Sequence, residues 1–586
     1  MRFLLLLLIS LFFVACSKPT TPREKDNRPN VVIILADDQG WGDLSLNGNP
    51  VVQTKHIDSL AASGLVLSNF LVEPVCSPTR ASLLTGRYAV RSGVRSTSAG
   101  GERMDLDEYT LAQAFLDAGY KTGAFGKWHN GMQPPYHPNY RGFEDFVGYC
   151  SGHWGSYVDA LLERNREFFT SKGYLTDVLT DECIQFMEKN RDTPFLAYLA
   201  LNTPHSPMQV PDSLWDQFSE KEWPEHRYSE KEDINHSRAA YAMAKNIDDN
   251  VGKVLASLEE AGLRENTIII YFSDNGPNGN RSNGGMKGHK GSTDEGGVRS
   301  PFVISWPEKI ARAQNEPYLS SVIDIFPSLV GMAGLEYHEK KPFDGQDISG
   351  LLLGLDSLRW DRTVVNHWQG KTSIRTQDFR LDHEGNLFDL KNDPGQLEPV
   401  NETQPKLRDS LLAFQAEWLK SVGSELPPTE NRPITIMGDK IQIPARDGLT
   451  TGNIKRSNRW PNCSFFTNWT QTEEEINWPV EIMEKGTYEL TIFVTLPKEN
   501  VGVEMGITLQ GDTVKTILES SFDSPLRGAE FDRIPRQESL VKDFMKVKVG
   551  QMNLEAGRDT LRLIALDIPG EGAVDFRMMR LDRIEE

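Results

Sequence analysis

Four apolar runs punctuate the first half of the chain. They are Val31-Val32-Ile33-Ile34-Leu35-Ala36, Thr122-Gly123-Ala124-Phe125, Phe195-Leu196-Ala197-Tyr198-Leu199-Ala200-Leu201 and Thr267-Ile268-Ile269-Ile270-Tyr271-Phe272. A run with no polar alternation suits a strand buried on both faces of a parallel sheet. Each run stops in polar residues: Asp37-Asp38, Gly126-Lys127-Trp128-His129, Asn202-Thr203-Pro204-His205 and Ser273-Asp274-Asn275-Gly276. Stripes at helical spacing fill the gaps. Leu111, Ala114, Phe115 and Ala118 form one, stopped at Gly119, and Ile247, Val251, Val254, Leu255 and Leu258 form another, stopped near Gly262. Strands alternating with helices predict an α/β fold with a mostly parallel central sheet. In such sheets the site lies outside the carboxyl ends of the strands, so the four polar ends are expected to converge on one edge.

The pattern changes after about Leu355. Thr363-Val364-Val365-Asn366, Thr372-Ser373-Ile374-Arg375 and Asn386-Leu387-Phe388-Asp389-Leu390 read as short strands, and Leu407 to Leu419 as an amphipathic helix. Ser424 to Pro433 holds three prolines and reads as a linker. Beyond it, Tyr488 to Val494 and Asp559 to Leu566 alternate or run apolar between glycine-rich turns, which predicts a separate β-sandwich. At 586 residues the chain is too long for one core. The expected division is a leader at 1–16, a tether at 17–28, a main domain at 29–355, a subdomain at 356–423, a linker at 424–433 and the sandwich at 434–586.

The leader has Arg2 as its positive flank and an apolar run from Phe3 to Val14, short for a membrane span. Its ending, Phe13-Val14-Ala15-Cys16, resembles a bacterial lipobox, which implies cleavage before Cys16 and a lipid on its sulfur. The other reading is a plain secretory signal. Either way the chain is expected to be exported, to the periplasm or cell envelope, touching membrane only through that lipid. The formal net charge of −20 excludes nucleic acid as a partner. An anionic substrate must then be drawn in by a local basic pocket. With Cys16 lipidated and Cys76 set apart for chemistry, Cys150, Cys183 and Cys463 remain of the five cysteines, so one disulfide at most is expected.

One stretch changes the picture most: Val75-Cys76-Ser77-Pro78-Thr79-Arg80-Ala81-Ser82-Leu83-Leu84-Thr85-Gly86. Pro78 suits a first helical turn and Gly86 a left-handed stop. Cys76 is thus expected just ahead of a helix N-terminus, where the helix dipole favours an anion and lowers a thiol pKa. Taken alone, Cys76 is also a small hydrophobe at a helix entry, and Asp37-Asp38 a solvated loop.

Cys-x-Pro-x-Arg followed by Ala-Ser-Leu-Leu-Thr-Gly resembles the signature of the formylglycine-dependent sulfatases, the arylsulfatase family of the alkaline phosphatase superfamily. The resemblance spans roughly Pro29 to Pro399. It implies that Cys76 is oxidised to formylglycine (3-oxoalanine) by a maturing enzyme. It also implies that Asp37, Asp38, Asp274 and Asn275, with residue 76, hold Ca²⁺; all four supply oxygen, as a hard cation requires. Lys127, His129, His205 and Lys290 match further catalytic positions, and Arg80 completes the group; Lys127, His205 and Lys290 would also bind substrate. Residues 356–423 resemble the family's small antiparallel C-terminal subdomain.

The implied reaction is hydrolysis of a sulfate monoester by a sulfuric ester hydrolase. A hydroxyl of the hydrated aldehyde attacks sulfur, His205 with Lys290 protonates the departing alcohol, and His129 then drives expulsion of sulfate. A sulfated oligosaccharide is the expected substrate, with His153-Trp154 and His367-Trp368 as candidate sugar contacts or ordinary packing. Two alternatives stay open: a phosphonate or phosphodiester hydrolase of the same superfamily, and an inactive protein that binds sulfated glycans. Asp294 stands where the family often carries an aromatic residue, a departure not expected to touch the chemistry.

Overall fold

The computed structural model describes residues 27–337, 340–355, 362–425 and 432–584. The leader with Cys16, nearly all of the tether and most of the linker lie outside the described residues.

A ten-stranded sheet dominates the first part. In chain order its strands are β1 (Asn30–Ala36), β2 (Leu65–Leu71), β3 (Lys121–Lys127), β4 (Asp145–Tyr149) and β5 (Leu161–Arg164). They continue as β6 (Glu167–Thr170), β7 (Phe195–Ala200), β8 (Thr267–Ser273), β9 (Phe302–Ser305) and β10 (Gln314–Ser321). Their order in space is β10-β2-β9-β8-β1-β7-β3-β4-β5-β6. The four apolar runs are neighbours, β8-β1-β7-β3, and all run parallel. Their lack of alternation has the expected cause. Val31, Ile33 and Leu35 enter the core on one face, and Val32, Ile34 and Ala36 the core on the other.

The parallel order is interrupted by β9, antiparallel to both β2 and β8, and the edge hairpin β5-β6 is antiparallel too. The helix Ile234–Glu260 begins well before the stripe from Ile247, because Asp233 caps its N-terminus by accepting from the Asn235 and His236 amides.

A four-stranded antiparallel sheet follows, Val364–Trp368, Lys371–Arg375, Phe379–Leu381 and Leu387–Asp389, with the helix Pro405–Gly423. It docks on the first body through Trp418, edge-on to Tyr88 at 5.4 Å, and through Arg375 and Arg380, which close on buried Glu295.

From Ile434 to Arg583 the chain forms two further, largely antiparallel sheets facing each other. Glu475–Ile482 alternates half-buried and buried residues without a break. Its inward side chains Trp478 and Val480 share a core with Ile492, Leu563 and Met579 of other strands. Among the described residues, no helix is long and apolar enough to cross a membrane. Cys76, Cys150, Cys183 and Cys463 are all buried free thiols, so the disulfide left open by the sequence does not form among them.

Candidate active site

The ends of β1, β8, β3 and β7 meet, and the helix Cys76–Thr85 arrives beside them from β2. All ten residues of that helix are buried. Gly86 stops it at φ 67°, and a Cβ there would sit 2.5 Å from Phe343. Cys76 is the first helical residue and not the one before it. The expected lowering of its pKa is reversed. Burial disfavours the thiolate and pushes the thiol up, against the pull of Lys127 and Lys290.

β1 delivers Asp37 and Asp38. The Asp37 amide donates to the Thr203 carbonyl at 3.0 Å, tying the exit of β1 to that of β7. Asp38 turns at φ 67°. The Arg281 guanidinium, wholly buried and paired with Asp43, donates to the Asp38 carbonyl at 2.6 Å and supports that turn. Asp43 stands in the same short acidic stretch as Asp37 and Asp38, yet its supporting role becomes visible only with Arg281 in place.

Three carboxylates here face three cations. Lys127 Nζ donates to both oxygens of Asp37 at 2.8 and 3.0 Å. Arg80 Nη2 donates to Asp274 Oδ2 at 2.8 Å, and its Nη1 to the Lys127 carbonyl at 2.8 Å. Lys290 Nζ reaches Asp38 at 2.7 and 2.8 Å. Burial alone would raise the Asp38 pKa, but Lys290, His205 and Lys127 hold it well below the usual carboxylate range. Asp274 moves the other way, up to about 6, through burial and the neighbouring Asp37 carboxylate.

That crowding of carboxylates is the electrostatic signature of a cation site. Oxygens of Asp37 and Asp38, Cys76 Sγ and a His205 ring nitrogen lie within 4.8 Å of one another. Asn275 donates its amide to Asp38 Oδ1 at 2.7 Å, while its own Oδ1 is buried with no hydrogen-bond partner. The donor set therefore fits a hard divalent ion.

The two histidines are held differently. His129, at φ 64°, donates Nε2–H to the Thr97 carbonyl at 2.8 Å. Its Nδ1 is buried without a partner, and so is the nitrogen that keeps a free lone pair. Burial, then Lys127, depress its pKa well below the usual value. His205 Nδ1 lies against the Ser206 carbonyl, which turns Nε2 to within 3.7 Å of Asp38 Oδ2. Burial and Lys290 lower its pKa to about 4.

His153 is buried and stacks on His205 with ring centroids 6.2 Å apart, so it joins the site's wall. Trp154 stacks on Tyr149, and His367 packs against Trp418. Asp294 bonds Ser292 and Gln396 and pairs with Lys287 at 3.4 Å. A second His/Cys/Glu cluster, His137, Cys150 and Glu163, gathers around the Glu163 carboxylate. His137 Nδ1 accepts from the Asn139 amide, so Nε2 carries the proton; it lies 3.5 Å from Glu163 without forming a hydrogen bond. Cys150 and Gln442 donate to the same carboxylate, and no histidine lone pair is left for a metal.

The fold and the site together define a hydrolase of the alkaline phosphatase superfamily. The family model for sulfatases matches residues 29–335. N-acetylgalactosamine-6-sulfatase from Mus musculus is 32% identical over 407 residues, covering 63% of this chain and 73% of the relative. Arylsulfatase G from Canis lupus familiaris is 31% identical over 423 residues, covering 62% and 74%. Among solved structures, Ps i-CgsB in complex with k-i-k-neocarrahexaose superposes with a TM-score of 0.61 at 28% identity, covering 67% of this chain and 92% of that one. The chain belongs to the sulfatase family, and its chemistry is the hydrolysis of sulfate esters.

Proposed function

We propose that the protein removes sulfate from a sulfated glycan, with residue 76 matured from cysteine to formylglycine as nucleophile. We also propose Ca²⁺ as the cation, held by Asp37, Asp38, Asp274, Asn275 and residue 76. The observation that carries this reading is the meeting of three carboxylates and three cations around Cys76 at four strand ends. The matured residue supplies a nucleophilic hydroxyl that a raised, buried thiol lacks. When bound, the ion would supply positive charge that polarises the sulfate ester and the nucleophile.

The remaining work falls to the chain's own side chains. Lys127, Lys290 and Arg80 hold the sulfate oxygens and absorb charge as the S–O bond to the alcohol breaks, their cationic heads buried or nearly so. His205 presents Nε2 to the site and, with Lys290, hands a proton to the departing alcohol. Its low pKa keeps it neutral in the resting site, and an anionic ester beside it raises its proton affinity. His129 takes a proton on Nδ1, the nitrogen left free by its bond to Thr97.

The domains are assigned as 29–355 for catalysis, 356–423 for the small subdomain and 434–586 for the sandwich, with 424–433 between them. Export, a lipid on Cys16 and a separate maturing enzyme are part of the same reading, and rest on the leader and on the Cys-x-Pro-x-Arg stretch.

A glycan is favoured over a small aryl ester because one relative is named for a sulfated sugar and one structural neighbour holds an oligosaccharide. The site is expected to be a pocket, which selects chain ends, so the terminal residue is the expected target. The test compares kcat/KM on nitrophenyl sulfate with that on sulfated galactose-, glucosamine- and fucose-type oligosaccharides. At least one sugar is expected to exceed the aryl ester. A wide margin for the aryl ester, with no sugar turned over, overturns the glycan reading.

A further inference from the structure

The β-sandwich touches the loops that carry both site histidines. One contact begins at Arg446, in the turn Ala445–Asp447, which is buried and pairs with buried Glu102 of the first body. Arg446 Nη1 donates to Asn462 Oδ1 at 2.9 Å, and Ser151 Oγ donates to the same oxygen at 3.2 Å. With its oxygen thus engaged, Asn462 turns its amide to the Thr97 carbonyl at 3.4 Å. That is the carbonyl to which His129 donates. A carbonyl has two lone pairs, and here one takes His129 and the other Asn462. The three groups are packed together: a Cβ on Gly152 would fall 2.4 Å from His129 Nε2 and 2.5 Å from Asn462 Nδ2. The Glu102 carbonyl also accepts from Asn130, the residue after His129, at 3.4 Å.

The second contact involves the segment that carries His205. Ser206 Oγ donates to Glu538 of the long loop between the strands Asp512–Ile517 and Met545–Leu554. The Ser206 carbonyl is the group against which His205 rests. Just beyond, the Val210 amide donates to Phe531 O at 3.1 Å and the Arg533 amide to Met208 O at 3.0 Å. Gln209 reaches the Gly528 carbonyl. The segment after His205 is therefore stitched to the sandwich like a short strand pair.

From this geometry we infer that the sandwich is part of the catalytic apparatus, with Asn462 as a positioning residue for His129 and Glu538 as one for His205. A loosely tethered sugar-binding module would not bury an arginine in the first body or share a carbonyl with the base. Asn462 keeps Thr97, and through it the tautomer and angle of His129, fixed. Glu538 fixes the Ser206 turn and hence the reach of His205 Nε2. The inference rests on the roles proposed above for the two histidines.

The test uses the full-length, matured, calcium-loaded enzyme and four variants: Asn462→Asp, Glu538→Ala, Glu538→Gln and Asn462→Ala. Asn462→Asp keeps an oxygen for Arg446 and Ser151 but loses the donor to Thr97. It is expected to melt as the wild type does and to lose about tenfold in kcat or more, with KM falling in step and kcat/KM held, because the second half of the reaction limits turnover. The loss is expected on nitrophenyl sulfate and sugar sulfate alike, with a first-turnover burst of alcohol that outruns sulfate release. Asn462→Ala should match it in turnover but melt lower, because the buried Arg446 and Ser151 donors lose their acceptor. Glu538→Ala is expected to slow the sugar ester, a poor leaving group, far more than the nitrophenyl ester, and Glu538→Gln, which keeps an acceptor for Ser206, to restore it. Unchanged kcat in Asn462→Asp, or equal losses on both esters in Glu538→Ala, overturns the inference. His129→Ala and His205→Ala run beside them separate the two levels. If these lack the burst and the leaving-group bias, the histidine roles fall, while a kcat loss at unchanged melting temperature still decides whether Asn462 positions the site.

Discussion

Arg80 and Asp274 form a wholly buried pair, with Nη2 2.8 Å from Oδ2. The guanidinium also binds the Lys127 carbonyl, and Thr79 Oγ1 donates to the Asp274 backbone carbonyl at 2.6 Å. The helix that presents residue 76 is thereby riveted to the end of β8. Removing the carboxylate strands a buried cation, at a cost of about 3–5 kcal/mol.

Asp274→Ala is therefore expected to lose stability as well as activity, with a lower melting temperature even in excess chelator. Asp274→Asn keeps an acceptor for Arg80 and should melt closer to the wild type, yet bind the divalent ion poorly. Melting curves with and without Ca²⁺, and elemental analysis of the purified protein, check both. A chelator without effect on the wild type, and no calcium or magnesium on analysis, would remove the cation from this site.

Residue 76 is expected to be an aldehyde in active protein. Trypsin releases it in the peptide His56–Arg80. Mass spectrometry of that peptide should show the thiol replaced, and activity across preparations should scale with the converted fraction. Highly active protein with only intact thiol would falsify the nucleophile assignment.

Much of this architecture is legible in the sequence because its causes are local. Val31 to Ala36 must be apolar throughout, since both faces of β1 are covered, and Asp37-Asp38 must follow because the strand ends in the site. Other features depend on what the fold brings near. The short run Phe302–Ser305 carries no mark of its direction, so the antiparallel insertion of β9 between β2 and β8 stays hidden. Cys76 sits at a helix N-terminus as read, but the sign of its pKa shift is set by how completely its surroundings exclude water. Arg446, Asn462 and Glu538 belong to no motif, and the Arg446 contact with Glu102 spans 344 positions of sequence.

The two histidines should fail in different ways. His129→Ala removes the free Nδ1 and is expected to lower turnover about 10²- to 10⁴-fold on every ester, because the second half of the reaction stalls. Alcohol release in the first turnover should survive. His205→Ala should spare nitrophenyl sulfate relative to a sugar sulfate, since nitrophenolate leaves without a proton. Stopped-flow detection of nitrophenol, with sulfate measured separately, distinguishes the two. Equal losses on both ester types in His205→Ala would remove its role as acid.

Glu73 gives a prediction about stability and pH. It follows β2, is 5% exposed, and accepts one long side-chain bond, from Ser82 Oγ at 3.5 Å. Burial raises its pKa from 4.5 to about 8, with Asp344 adding to the rise. The folded chain therefore keeps a proton that the unfolded chain releases once the pH passes 4.5. Where the folded state binds more protons, stability falls as pH rises. Glu73's contribution is thus full below 4.5 and is lost progressively up to about 8, beyond which both states are ionised and it stays constant. Other groups titrate in the same window, so the informative quantity is the difference between wild type and Glu73→Gln, which carries no proton to lose. The two should melt alike near the acid end and separate as the pH rises, with Glu73→Gln higher by several degrees at the alkaline end. A constant offset between the curves across the window would mean that Glu73 ionises normally in the folded protein.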